Sequence, residues 1–240
     1  MNMRCQIDTH FDFRSDTPPG KDPDAFSPTL RRYHQFLWSK PLPGGVVFDL
    51  VDTTAQVYLH HHSEMGEFFL SSDSVVPSFK REPKIAHIID EIPARELRAF
   101  NKIGYTIGGM MIFPGNRGGR KITLNGARGF HPRIKDRFDL TVECIRRYYN
   151  GENSPLDEPL ERYADFFNLF EDFRGYVEFF LLQDMVAEDF PSVKFFMPFD
   201  GFKTSPLPAS KQAYLSYKQH AIDFIQARNR RIQEFCSKQI

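Results

Sequence analysis

The sequence predicts an α+β fold, with an N-terminal antiparallel sheet and a helical C-terminal half packed on it. Short runs rich in β-branched and aromatic residues recur between residues 46 and 75, which is typical of neighbouring strands. From residue 134 onward, apolar residues recur every three or four positions, as they do on one face of a helix. No internal repeat or persuasive linker divides the 240 residues, so we expect a single domain over residues 1–240.

The N-terminal half is predicted to begin with a loop. The stretch FDFRSDTPPGKDPDAFSP is rich in Asp, Pro and Gly, which favour turns. Ser27 offers an N-cap and Pro28 a first helical residue, so a helix is predicted from there to the stop signal KPLPGG. Three strands are predicted next, at 46–52, 55–62 and 67–75. A short helix at 92–104 and a fourth strand at 105–113 follow them.

The C-terminal half is predicted to be mainly helical. Apolar residues between Ile134 and Tyr149 lie on one helical face, and Gly151 can end that helix. LERYADFFNLF and RGYVEFFLLQDMV predict two further helices, and a long amphipathic helix is predicted from Ser210. VKFFMPF at 193–199 is predicted to be a strand.

Composition and cysteine usage exclude several classes of protein. Lys+Arg 31 balance Asp+Glu 31, so the chain as a whole lacks the positive charge of a general DNA-coating protein. Cys5, Cys144 and Cys236 lie far apart, which argues against a disulfide framework and against a zinc finger. No apolar run approaches the roughly 18 residues of a membrane span, and the N-terminus lacks a signal-peptide pattern. We therefore expect a cytoplasmic protein, bacterial in style, with no membrane partner.

The zero net charge conceals a basic segment. Residues 115–150 hold nine Lys or Arg and three Asp or Glu, whereas residues 152–189 hold two Lys or Arg and eleven Asp or Glu. Within FPGNRGGRKITLNGARGFHPR, glycines let backbone N–H groups approach an anion, and basic side chains can bind phosphate. The sequence thus predicts a phosphate-binding loop, although a solvated basic hairpin would have the same composition. The residues predicted to hold the phosphate are Arg117, Arg120, Lys121 and Arg128.

Candidate catalytic residues lie in the N-terminal loop and the helix after it. Asp12 and Asp16 have the hard oxygen ligands that Mg²⁺ prefers, although loop aspartates also serve as turn formers and caps. His34 is the candidate acid or base among the helical residues. His60 and His62 share one face of a predicted strand, where they suit a metal site or simply an exposed strand end. The metal and any cofactor stay open.

Several phrases of the chain resemble an uncharacterised bacterial family over nearly its full length. They include FDFRSDTPPGKDPDAFSPTLRRYHQFLWSKPLPGG, GEFFLSSDSVVPSF, IGGMMIFPGNR and the run from DRFDLTVECIRRYYNGENSPL to FRGYVEFFLLQD. The resemblance implies no activity, cofactor or catalytic residue.

Three functions remain open. The first is an enzyme that acts on a nucleotide or nucleic acid held through phosphate by the Gly/Arg-rich loop. The second is a non-catalytic module that binds nucleic acid or protein, and RGFHPR, which interleaves aromatic and basic residues, suits such a module. The third is an NAD-dependent ADP-ribosyltransferase-like protein, because Tyr33 and His34, the strand FFLSSDSV and Glu178 loosely match that motif order.

Overall fold

A computed structural model describes residues 7–52, 59–115 and 121–238. Within them, four antiparallel strands form one sheet in the order β1-β2-β3-β4. The strands are β1 (Val51–Asp52), β2 (Leu59–Ser63), β3 (Gly66–Ser74) and β4 (Met110–Gly115). This sheet, followed by mostly helical structure, confirms the predicted α+β class.

The register of the sheet leaves one end of β3 paired on a single side. β2 pairs with β3 from Leu59↔Leu70 to Ser63↔Gly66, whereas β4 pairs with β3 as far as Ser74↔Met110. Among the described residues, the segment 71–74 of β3 therefore has β4 as its neighbour on one edge and no strand on the other.

Helices before and between the strands are short. They are α1 (Pro23–Phe26), α2 (Pro28–Trp38), α3 (Ala86–Ile89) and α4 (Ala94–Gly104). Ser27 accepts a hydrogen bond from the Leu30 N–H, and Pro28 begins α2, as the sequence predicts. α2 turns Leu30, Tyr33 and Trp38 inward.

The helices after β4 are α5 (Leu124–Phe130), α6 (Phe138–Tyr149), α7 (Asp157–Arg162), α8 (Ala164–Asn168), α9 (Phe173–Phe179) and α10 (Lys211–Ser237). The helix predicted over LERYADFFNLF is divided at Tyr163, between α7 and α8. Single 3₁₀ turns occur at Phe13–Ser15, Pro83–Ile85, Ile107–Gly109 and Gln183–Met185.

The predicted strands do not all match the structure. Residues 193–199 form a loop in which only Val193 pairs, through an isolated bridge to Val186, because no neighbouring strand extends the ladder. The strand predicted at 46–52 is reduced to β1, and part of the one predicted at 55–62 lies outside the described residues.

The C-terminal helix α10 crosses the molecule and joins its parts. Its side chains Tyr214, Tyr217, Phe224 and Ile225 are buried. Arg228 is also fully buried, and its guanidinium donates to the carbonyls of Gly108, Met110 and Phe180. The buried guanidinium of Arg228 therefore joins the sheet and the helices through hydrogen bonds to backbone carbonyls, in addition to the apolar contacts. No helix in the described part of the chain combines the length and apolarity needed to span a bilayer.

Candidate functional site

The predicted phosphate-binding residues do not share one environment. Arg117 and Arg120 lie outside the described residues. Lys121 is exposed at the start of the segment that leads into α5. Arg128, on α5, is fully buried. The structure thus separates the two described members of the predicted set.

Arg128 already has a partner for its charge. Its Nη1 donates to Asp73 Oδ2 over 2.5 Å, and its Nε donates to Thr141 Oγ1 over 3.0 Å. Nη2 donates to the carbonyl oxygen of Asp136, and the guanidinium lies 4.7 Å from the centre of the Phe113 ring. This placement corrects the expectation of a surface phosphate ligand, because the donors of Arg128 are directed at other parts of the same chain.

The C-terminal end of β3, residues 71–74, is where polar side chains of three helices contact the sheet. Asn125 Nδ2 donates to Ser71 Oγ, and the Ser74 N–H donates to Asp24 Oδ2 on α1. With the His34 contact to Ser72 and the Arg128 contact to Asp73, each of four successive residues has a polar partner. We call this set of residues the β3 polar edge.

Three carboxyl groups lie close together at the β3 polar edge, those of Asp24, Asp73 and Asp136. Two of them contact Arg128, because its Nη1 bonds to Asp73 and lies 3.5 Å from Asp136 Oδ1. Burial raises the pKa of Asp24 to about 6, with a further contribution from Asp22. Burial also raises the pKa of Asp73 well above its usual range, against the opposing effect of Arg128. Asp24 and Asp73 lie within hydrogen-bonding range of each other, so one proton can be shared between them.

His34 is a buried hydrogen-bonded residue of α2. Trp38 Nε1 donates to its Nδ1 over 3.0 Å, so the ring proton of the neutral imidazole lies on Nε2, which donates to Ser72 Oγ over 2.9 Å. Burial, and to a lesser degree the charges of Arg228 and Arg31, lowers the pKa of His34 to about 3. At neutral pH the imidazole is uncharged and linked to the sheet.

Asp12 and Asp16 have local partners. Asp12 accepts from the Arg14 backbone N–H and from its guanidinium, over 2.7 Å from Nη2. Asp16 accepts from Ser27 Oγ and from the Thr29 N–H at the start of α2. Both roles are those of turn and cap residues, and no described contact brings either carboxyl to His34. The N-terminal residue that does reach the sheet is Asp24.

The described residues contain no group of three or more His, Cys, Asp or Glu arranged to hold a metal ion. His60 pairs with Glu67 over 2.9 Å and stacks on Phe69 at the outer surface of the sheet. His61 is buried and stacks on Phe48. The histidine run therefore alternates between the two faces, as the strand period requires.

A cleft of about 700 Å³ lies between α5 and α7, beside Lys121. Its walls carry two large apolar side chains that are exposed: 79 % of Phe130 and 57 % of Ile122 are accessible to solvent. Arg162 on α7 donates to the Ile122 carbonyl and to Glu158, which joins the two walls. We call this the Phe130 cleft.

His131 gives the Phe130 cleft a neutral donor. Burial, with the charge of Arg133, lowers the pKa of His131. Its Nδ1 accepts from the Arg133 backbone N–H, which leaves the proton of the neutral ring on Nε2. Lys121 supplies a cation to the same cleft. The Phe130 cleft is thus lined by an aromatic ring that can stack, by the ring N–H of His131 and by the ammonium group of Lys121.

Sequence reasoning missed the partners of Arg128 and found only part of the Phe130 cleft. Asp73 lies 55 residues before Arg128, and no local pattern links the two. The interleaved phrase RGFHPR did indicate a surface with aromatic and basic residues. Glu178, the third part of the ADP-ribosyltransferase-like motif order, is exposed on α9. His34 and Ser72, which belong to the other two parts, contact each other, but no described contact joins Glu178 to either of them.

Fold and site together define an α+β protein with a polar strand edge inside and an aromatic, basic cleft outside. The chain belongs to a family of unknown function (DUF6994), whose model matches residues 7–232. No curated protein and no solved structure matches the chain.

Proposed function

We propose that the protein binds a nucleotide or a short single-stranded nucleic acid in the Phe130 cleft. In this proposal a base stacks on the Phe130 ring, and a phosphate is held by Lys121 and by the Nε2–H of His131. The observation that carries it is the exposure of Phe130 and Ile122 in a cleft that is also lined by Lys121.

Apolar area and charge both favour this class of ligand. Phe130 and Ile122 are both exposed and line the same cleft, and contiguous exposed apolar area often marks a ligand or partner site. A purely apolar ligand would leave Lys121 and His131 unused, and inorganic phosphate would leave Phe130 unused. A nucleotide has both an aromatic base and a phosphate.

The test is a calorimetric titration with AMP, ATP, adenosine, pyrophosphate and a thymidine oligonucleotide. Phe130→Ala should weaken the binding of AMP and of the oligonucleotide about tenfold, because stacking contributes about 1–3 kcal/mol, and leave pyrophosphate unaffected. Lys121→Glu should weaken every phosphate-bearing ligand and reduce the salt dependence of oligonucleotide binding. Phe26→Ala, at another partly exposed ring, is the control.

Binding of AMP and oligonucleotide that is equal in wild type, Phe130→Ala and Lys121→Glu would refute the proposal. So would a wild-type protein that binds none of these ligands at millimolar concentration. The ratio of AMP to oligonucleotide affinity distinguishes a nucleotide site from a nucleic-acid site.

The second candidate is acid–base catalysis at the β3 polar edge. The specific observation in its favour is the pair Asp24 and Asp73, whose raised pKa values allow one carboxyl to be protonated beside an ionised one. The measurement is turnover of AMP, ATP and the thymidine oligonucleotide, followed by phosphate release and by mass spectrometry. Turnover that survives in Asp73→Asn would rule this candidate out.

A further inference from the structure

Lys40 lies outside both sites and has an unusual environment. It follows α2 directly, and its backbone is fixed on both sides. Its N–H donates to the Trp38 carbonyl over 2.9 Å, and its own carbonyl accepts from the Phe48 N–H over 3.0 Å. The side chain therefore starts from a fixed point at the base of a tight turn.

The amine of Lys40 is enclosed by aromatic rings. Nζ lies 4.7 Å from the ring centres of both Phe179 and Phe235 and 5.3 Å from that of Trp38. It donates to the Phe179 carbonyl over 2.5 Å, and no carboxylate of the described residues lies within ion-pair distance. An ammonium group has three N–H donors to satisfy, whereas a neutral amine that makes this one bond keeps a free lone pair.

Burial favours the neutral amine. It lowers the pKa of Lys40 to about 7, and the charge of Arg228 contributes in the same direction. The ring faces attract a cation and oppose this shift, but they do not replace the lost water. About half of the Lys40 side chains are then nucleophilic at pH 7, compared with fewer than about one in a thousand for an ordinary lysine.

Lys40 lines a cleft of about 400 Å³ between the turn and α9. Leu42, Pro43 and Phe170 form its apolar wall. The charged groups that face Lys40 are Arg228 from α10 and, around this cleft, Glu171, Asp172, Arg174 and Glu178. Arg174 is turned toward Phe190 and Asp189. Three carboxylates at the cleft accept hydrogen bonds from hydroxyl groups and repel a ligand that carries its own carboxylate.

We propose that Lys40 forms an imine with a small, neutral hydroxy-carbonyl compound bound in this cleft. The Nζ lone pair attacks the carbonyl carbon, an N–C bond forms, and the carbonyl oxygen takes up a proton. One proton has thus moved from nitrogen to oxygen, which gives a carbinolamine. A second proton moves from nitrogen to the hydroxyl oxygen as the C–O bond breaks, and water leaves, which gives the imine. The step needs no oxidant or reductant. It shares no residue with the Phe130 cleft, so it is independent of the proposed function.

The experiment traps the imine in the full-length protein. Glycolaldehyde is the probe, cyanoborohydride reduces the imine to a stable secondary amine, and peptide mass mapping measures the labelling rate of each lysine at pH 7. Lys40 should be labelled at least about ten times faster than the exposed Lys80, because a larger fraction of its amine is neutral. Its rate should rise with pH to a plateau with a midpoint near 7 and saturate with glycolaldehyde concentration, as binding before reaction requires.

The ligand class is tested with glyoxylate, which has the same carbonyl group and a carboxylate. Glyoxylate should label Lys40 more slowly than glycolaldehyde, and Glu178→Gln should narrow that difference about threefold by removing one negative charge. Equal rates at Lys40 and Lys80 would refute imine formation at a dedicated site. Faster labelling of Lys40 by glyoxylate than by glycolaldehyde would refute the neutral hydroxy-carbonyl ligand. Lys40→Arg, which keeps a positive charge at this position, identifies the labelled peptide.

Discussion

Arg128 and Phe130 lie two residues apart on the same short helix and have opposite environments. Arg128 is fully buried against the sheet, whereas 79 % of Phe130 is exposed. The inner side of α5 contacts Asp73 and Thr141, and its outer side forms a wall of the Phe130 cleft. The comparison teaches that a basic residue in the sequence need not be available to a ligand, because Arg128, the basic residue of α5, is buried against the sheet.

The difference follows from helix geometry and from charge. Leu124 and Arg128 are four residues apart and share a face, and both are fully buried. Phe130 falls on the other side of a helix of only seven residues. The buried guanidinium of Arg128 is paired with the carboxylate of Asp73, 22 % of whose side chain is exposed. The inner side of α5 is therefore characterised by the ion pair between Arg128 and Asp73, and the outer side by the exposed ring of Phe130.

The largest effect is expected when the inner charge is removed. Arg128→Met should lower the free energy of unfolding by about 3–5 kcal/mol at pH 7, because Asp24, Asp73 and Asp136 then face each other without a cation. Urea unfolding measures the change, and Lys121→Met on the outer side is the matched control, with an expected change below about 0.5 kcal/mol. The loss should shrink at pH 5, where the raised carboxyl pKa values allow protonation. Equal stability of the two variants would remove the distinction between the sides.

The apolar residues of α5 give the second contrast. Leu124→Ala should lower the free energy of unfolding by about 2–4 kcal/mol, since Leu124 is fully buried and its truncation leaves a cavity. Phe130→Ala should change it by less than about 0.5 kcal/mol, although Phe130 is the larger side chain. Thermal and urea unfolding of both variants give the comparison. A Phe130→Ala variant that unfolds as easily as Leu124→Ala would mean that Phe130 stabilises the fold and is not held ready for a ligand.

Local patterns predicted the elements that depend on neighbouring residues. The N-cap Ser27 with Pro28, the N-cap Ser210 of α10 and the strand 67–75 all correspond to observed elements. The run at 193–199 has strand-like composition but lacks a neighbour, and a strand exists only where a partner accepts its hydrogen bonds. Its buried Phe196 instead contacts α10 through Phe224 and Tyr217.

The candidate sites depended on contacts distant in sequence. Asp73 reaches Arg128 across 55 residues, and Asp24 reaches Ser74 across 50. No period or motif connects such pairs, so a single sequence indicated basic residues without their partners. The spacing of Leu124 and Arg128 did contain one usable signal, because a polar residue four positions from a leucine that begins a helix shares its face.

The smallest expected effect concerns the pH dependence of the inner side. Asp24 has a pKa of about 6 in the folded protein, against 3.8 as its ordinary value. Between these values the folded state binds more protons than the unfolded state, so the stabilising contribution is complete below pH 4 and is lost as the pH rises through 6. Asp24→Asn abolishes this titration, while its amide can still accept from the Ser74 N–H and donate to Asp73.

From pH 4 to pH 7, wild type should therefore lose roughly 1–2 kcal/mol more of its free energy of unfolding than Asp24→Asn. Urea unfolding across that range measures it, with the exposed Asp165→Asn as control. Parallel pH profiles for wild type and Asp24→Asn would show that the carboxyl of Asp24 is not held in its protonated form by the interior.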